Sequence, residues 1–189
     1  MDIKTQKAAT CCFTGHRPEK LPWGADEDSE DCILLKLKQI AEIEKLRRRG
    51  VTTFITGMAQ GADIFAAEAV WTLKLAYPQA AIRLIAVRPY EGQADRWSAE
   101  YRERYYNILA AADEEVILRP HYSRGCMQER NRYMVDRAAH MIAVFDGSAG
   151  GTKYTVDYAV KKGLEVVVID PRDMSVNTLP PFRGFKLIK

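Results

Sequence analysis

The chain has 189 residues, 47% of them hydrophobic and 28% charged, with a formal net charge of +3. That length suits one domain with a sizeable core, and so small a charge demands no polyanionic partner; nucleic acid is permitted but not favoured. Cys11, Cys12, Cys32 and Cys126 form no C-x-x-C pair and do not cluster with the histidines, which supports neither a disulfide framework nor a zinc site, so no metal is expected. No apolar segment of signal-peptide length opens the chain and nowhere do about 18 apolar residues run together, so the expectation is a cytoplasmic protein with reduced thiols and no membrane contact.

Short runs rich in Val, Ile and Phe recur at residues 9–13, 52–56, 82–87, 115–118, 141–145 and 165–169, each predicted to be a strand. Helical patterns separate them. The first follows an acidic stretch at 26–31 suited to a helix N-terminus. Its apolar positions are predicted to be Ile33, Leu37, Ile40, Ile43 and Leu46, with Lys36, Lys38, Glu42, Glu44 and Arg47 on the other face, and it stops near Gly50. The second, at 62–76, is so apolar that it needs cover on more than one side. The third, at 94–112, carries a stripe of Trp97, Tyr101, Tyr105 and Ile108 that reads as core; the fourth and fifth are expected at 126–140 and 152–163.

Strands alternating with helices predict a three-layer Rossmann-like α/β fold: a mostly parallel sheet with helices on both faces, as a single domain over residues 1–170. Residues 171–189, with Pro180-Pro181 and a basic end at Arg183, Lys186 and Lys189, are expected to be an irregular tail that packs along the domain or helps form a homodimer.

Two small-residue turns stand at strand-to-helix junctions, Thr56-Gly57-Met58-Ala59-Gln60-Gly61-Ala62-Asp63 and Asp146-Gly147-Ser148-Ala149-Gly150-Gly151-Thr152. At such a junction a phosphate meets backbone N–H groups and the positive end of a helix dipole. In a parallel sheet both turns reach the C-terminal edge, where open α/β sheets bind ligands. The same edge receives Gly15, His16 and Arg17 after the first strand and Arg88 after the third. Arg17 and Arg88 suit a bidentate clamp on phosphate or carboxylate, His16 a hydrogen bond or proton transfer, and Asn131 a ribose or base edge. Blander roles are open: glycines for tight geometry, Asp63 as a helix cap, either arginine paired with Asp63 or Asp146, and Arg130 and Arg132 facing solvent.

These residues resemble the YpsA-like proteins of the SLOG superfamily, relatives of the DNA-processing protein A family and of the LOG phosphoribohydrolases. The resemblance spans about residues 12–170 and rests on Thr14-Gly15-His16-Arg17-Pro18, Thr56-Gly57-Met58-Ala59-x-Gly61-x-Asp63, Pro89-x3-Gln93-x3-Trp97, Arg130-Asn131-Arg132-Tyr133-Met134-Val135-Asp136 and Gly150-Gly151-Thr152. It implies a Rossmann-like fold binding a nucleotide or nucleotide-derived ligand at the glycine turns, with no cofactor required; together with the residues read at the sheet edge, the candidate ligand site is Gly15, His16, Arg17, Thr56, Gly57, Ala59, Gly61, Asp63, Arg88, Asn131, Asp146, Gly150, Gly151 and Thr152.

The LOG pattern G-G-x-G-T-x-x-E ends in a glutamate that serves N-glycosidic cleavage. Here Gly151-Thr152 is followed by Lys153, Tyr154 and Thr155, and Asp157 falls on a different helical face. The leading expectation is therefore a sensor or regulatory protein. A nucleotide-processing hydrolase using His16, Asp63 or Asp146, and single-stranded DNA binding like that of the DNA-processing relatives, are the alternatives.

Overall fold

A computed structural model describes residues 3–179. A short helix, α1 (Ile3–Ala8), precedes β1 (Thr10–Gly15), and the chain continues through α2 (Glu30–Arg48), β2 (Thr53–Thr56), α3 (Ala62–Ala76), β3 (Arg83–Arg88), α4 (Ala99–Ala111), β4 (Glu114–Ile117), α5 (Cys126–Arg137), β5 (His140–Val144), α6 (Gly151–Lys161), β6 (Glu165–Ile169) and β7 (Val176–Leu179). Among the described residues the strands form one sheet of order β4-β3-β2-β1-β5-β6-β7. All neighbours run parallel except β7, which pairs antiparallel with β6.

From β1 the chain steps outward through β2, β3 and β4, then returns to the other side of β1 at β5. Right-handed crossovers place helices on one face for the first direction and on the opposite face for the second. Side chains of the strands divide accordingly. Cys11, Phe13, Phe54, Ile142 and Val144 join a core with α2, α3 and α4, whereas Cys12, Ile55, Met141 and Ala143 join a second core with α5 and α6. The period of two along each strand builds both cores at once, giving the three-layer Rossmann-like fold. The reversal between β1 and β5 is the topological switch point, where two adjacent strand ends diverge and leave a crevice.

Three local expectations change. On α2 the buried face is Cys32, Leu35, Gln39, Glu42, Ile43 and Leu46, while Ile33 and Leu37 are 48% and 56% exposed. Gln39 turns inward because α3 lies against it, its Nε2 donating to the Ala62 carbonyl at 3.1 Å, while Glu42 accepts from Lys45 Nζ at 2.6 Å. Before α4, residues 94–98 stay outside the helix, since Ser98 caps it by accepting from the Tyr101 N–H at 3.3 Å. Tyr105 and Ile108 are core as expected. Finally, the segment after Pro171 is not wholly irregular. Pairing Ile169 with Val176 and Val166 with Leu179 adds β7 over the open side of β6, satisfying backbone groups that an edge strand leaves exposed. Pro180, Pro181, Arg183, Lys186 and Lys189 lie outside the described residues.

No helix of the described residues is long and apolar enough to cross a membrane, and no cluster of three metal-ligating side chains occurs among them. Cys11, Cys12, Cys32 and Cys126 are all buried as free thiols.

Candidate functional site

The turn between β2 and α3 is folded inward on itself. Thr56 Oγ1 accepts from the Met58 N–H at 3.1 Å and donates to the Asp63 carbonyl at 3.2 Å. Met58, completely buried, takes the left-handed conformation at φ 56°, which L side chains adopt at a cost. Gln93 holds it there, donating from Nε2 to the Met58 carbonyl at 2.6 Å. Gly57 leaves room for a guanidinium: a Cβ at this position would strike Arg130 and come within 2.8 Å of Asp63 Oδ2. At Gly61, φ is 81° and a Cβ would lie 2.7 Å from the His16 carbonyl oxygen. These glycines serve packing between β1, α3 and α5.

Asp63 and Arg130 form the charged centre of that packing, being 4% and 5% exposed. Arg130 Nη1 lies 3.5 Å from Asp63 Oδ2 and also donates to the Gly57 carbonyl. Burial raises the Asp63 carboxyl above its ordinary range, against the pull of Arg130 and the Ala59 N–H. Arg130 retains its proton because a guanidinium is too basic to lose it. The expectation that Arg130 faces solvent is thus corrected: a buried carboxylate draws it inward. Met127, Arg130, Asn131 and Met134 recur at helical spacing, a stripe from which its inward position is legible.

The turn between β5 and α6 is different. Gly147 and Gly150 have φ of 87° and 147°, and a Cβ added at Gly147 or Gly151 would meet nothing within 4 Å. Here the backbone is open around the first turn of α6, whose N–H groups have no intrahelical acceptor. Several bonds position that helix end. Asn131 Nδ2 donates to Thr155 Oγ1 at 2.7 Å, which donates to the Gly151 carbonyl at 2.8 Å. Thr152 Oγ1 donates to the Gly15 carbonyl at 3.2 Å, and Lys20 Nζ to the Ala149 carbonyl at 3.0 Å. Asp146 Oδ1 accepts from the Ser148 N–H at 2.9 Å and lies 2.7 Å from His16 Nε2. Partial burial would raise the Asp146 carboxyl, but Ser148 and His16 outweigh it and hold it well below the usual range.

A cavity of about 230 Å³ opens at the switch point between these turns. Of the residues expected at a ligand site, Gly15, His16, Arg17, Ala59, Asp63, Asn131, Gly151 and Thr152 line it. Asp146 lies behind it on His16, and Thr56, Gly57 and Gly61 support its floor without lining it. Arg88 is engaged elsewhere, bonding Glu115 and the Glu91 carbonyl, because the carboxylate of the neighbouring strand is nearer than either proposed partner at the switch point. The lining also includes Thr14, Glu19, Lys20, Met127 and Arg130. Glu19 and Lys20 belong to a 3-10 turn at Pro18–Lys20, whose one sequence signal is Pro18 after Arg17. Arg17 and Met127 are shared with an adjoining cavity of about 480 Å³ that extends to Tyr90, Gln93, Trp97 and Tyr122.

The YpsA family model, described as the YspA SLOG family, matches residues 11–174. The chain belongs to the YspA SLOG family. Among curated proteins it is 35% identical over 142 residues to the uncharacterized SPbeta prophage-derived protein YoqJ of Bacillus subtilis, covering 68% of this chain and 82% of that protein. Among solved structures, this SLOG chain is similar to DNA processing protein A from Streptococcus pneumoniae, with a TM-score of 0.55 and 17% identity over 89% of this chain and 53% of the other. DNA processing protein A from Helicobacter pylori, described with a single-stranded DNA binding mode, gives 0.54 and 16% over 87% and 66%. The SLOG chain therefore spans about half to two thirds of those two proteins, and the likeness to them is one of fold.

Proposed function

We propose that this SLOG protein binds a nucleotide or nucleotide-derived small molecule at the C-terminal edge of its sheet, with the ligand's phosphate on the first turn of α6, and acts as a cytoplasmic sensor or regulator. One observation carries the reading. The open backbone of Gly151 and Thr152 borders the same cavity as the cationic side chains of Arg17 and Lys20 and the buried imidazole of His16, while Gly150 lies beside it, close to Lys20 Nζ. A phosphate there receives backbone N–H groups, the helix dipole and positive charge together. The position that holds the LOG glutamate is Thr155, whose hydroxyl is occupied by Gly151 and Asn131; that substitution favours binding over glycosidic cleavage.

A thermal-shift panel of mononucleotides, dinucleotides and ADP-ribose tests the reading. Stabilisation by at least one phosphate-bearing compound, lost in Arg17→Ala, supports it; no stabilisation by any of them removes it.

A second reading, single-stranded nucleic acid binding, is favoured by the described binding mode of the Helicobacter pylori neighbour and by exposed Arg17, Arg96 and Tyr122 around the adjoining cavity. It requires oligonucleotide affinity that falls steeply with salt, and salt-insensitive or absent binding to oligonucleotides excludes it.

A further inference from the structure

The adjoining cavity differs chemically from the phosphate cradle beside it. Two of its walls are aromatic, Trp97 and the edge-to-face pair Tyr90 and Tyr122 with ring centroids 5.6 Å apart. Tyr122 is 66% exposed, so its ring is accessible to a ligand in the cavity. Gln93 forms another part of the lining. Its amide is pinned at one end, since Nε2 donates to the Met58 carbonyl at 2.6 Å. The other end, Oε1, is buried and accepts no hydrogen bond. A buried acceptor without a partner carries a desolvation cost that a donor relieves. Asp95 adds a carboxylate acceptor to a lining that also holds the cations Arg17 and Arg96.

We infer that this second cavity is a base subsite that stacks a purine on Tyr122, with the near-perpendicular Tyr90 at its edge, and accepts its exocyclic amino group at Gln93 Oε1, making the ligand an adenine-type nucleotide laid from the α6 turn into the aromatic lobe. The inference rests on the phosphate-binding reading of the first cavity and adds to it which end of the molecule is read, and how. Arg17, common to both cavities, sits where the two ends of such a molecule join. Because Nε2 is committed to Met58, Gln93 cannot rotate to offer a donor instead, so a base with a carbonyl in place of the amine meets acceptor against acceptor.

The test compares ADP, IDP and ribose 5-phosphate by titration calorimetry on the full chain and on Tyr122→Ala. IDP keeps ring size and phosphates, replaces the 6-amino donor by an oxo acceptor and carries a proton on N1, where ADP has an acceptor. ADP is expected to bind about tenfold tighter than IDP, as one buried hydrogen bond commands. Tyr122→Ala is expected to weaken ADP by about tenfold, the scale of one stacked base, and to leave ribose 5-phosphate unchanged. Binding of ribose 5-phosphate together with equal affinities for ADP and IDP, or with no effect of Tyr122→Ala on ADP, overturns the base subsite and leaves the phosphate cradle standing. Absence of binding by all three overturns both.

Discussion

His16 Nε2 stands 2.7 Å from Asp146 Oδ1, tying the end of β1 to the end of β5 across the reversal in strand order. The imidazole is buried, with the edge of its ring system against Phe145 at 5.8 Å between centroids. This bond sets the separation of the two strand ends that flank the cavity. Asp146→Asn keeps the shape and removes the charge. It should cost about 1 kcal/mol at neutral pH, read from urea unfolding with an unchanged slope.

The same carboxylate predicts an acid response. Asp146 titrates below its ordinary range in the fold, because Ser148 and His16 outweigh the effect of its partial burial. A depressed native value means that its contribution is fully present above about pH 4 and is lost as pH falls through the native value. The wild type should therefore lose stability below about pH 4 more steeply than Asp146→Asn. Parallel stability curves for the two would show that the carboxylate is not held in this way.

Arg130 and Asp63 predict the opposite sign. Arg130→Met leaves a buried carboxylate without its guanidinium and should cost about 3–5 kcal/mol at neutral pH. Burial already raises the Asp63 carboxyl, and removing Arg130 raises it further. The variant's deficit should therefore shrink as pH falls and Asp63 takes up a proton. Asp63→Asn combined with Arg130→Met should recover much of the neutral-pH loss, and urea titrations at several pH values measure each step.

The glycines should separate by role. Gly57→Ala drives a methyl into the Arg130 guanidinium and should destabilise by about 1–3 kcal/mol. Gly151→Ala adds a methyl in open space at the start of α6 and should keep the melting temperature while weakening ADP, since the methyl occupies the approach to the backbone N–H groups. A Gly151→Ala protein that binds ADP as the wild type does would place the phosphate elsewhere.

Arg17 is exposed and its guanidinium hydrogen-bonds to no group among the described residues, yet it lines both cavities. Arg17→Ala should leave thermal stability within about 0.5 kcal/mol and reduce ADP affinity about tenfold, as loss of a charged phosphate contact does. Calorimetry beside a thermal melt distinguishes that outcome from a folding defect.

Strand positions and the apolar helix α3 were legible because their patterns are local: runs of β-branched residues bounded by turn residues, and a small-residue helix ending before Pro78. The buried face of α2 was not. Ile33 and Leu37 satisfy a helical stripe as well as Leu35 and Ile43 do, and only contact with α3 selects between the stripes. Strand β7 escaped for a similar reason, since Val176–Leu179 carries weak strand character and forms through pairing with β6.

The sequence by itself determined the alternation of strands and helices, and with it the parallel sheet, the edge to which the two glycine turns belong, and the loss of the LOG glutamate. These follow from residue type and spacing along the chain. Only the tertiary structure decided what each turn does. Gly57 and Gly61 face Arg130 and the His16 carbonyl, residues 73 and 45 positions away in the sequence, so their turn is filled from within. Gly147 and Gly151 face nothing within 4 Å, so their turn is open. Two similar glycine turns thus part company because one lies beneath a buried ion pair and the other begins a helix at the crevice, a distinction made by what packs against them and not by their own residues.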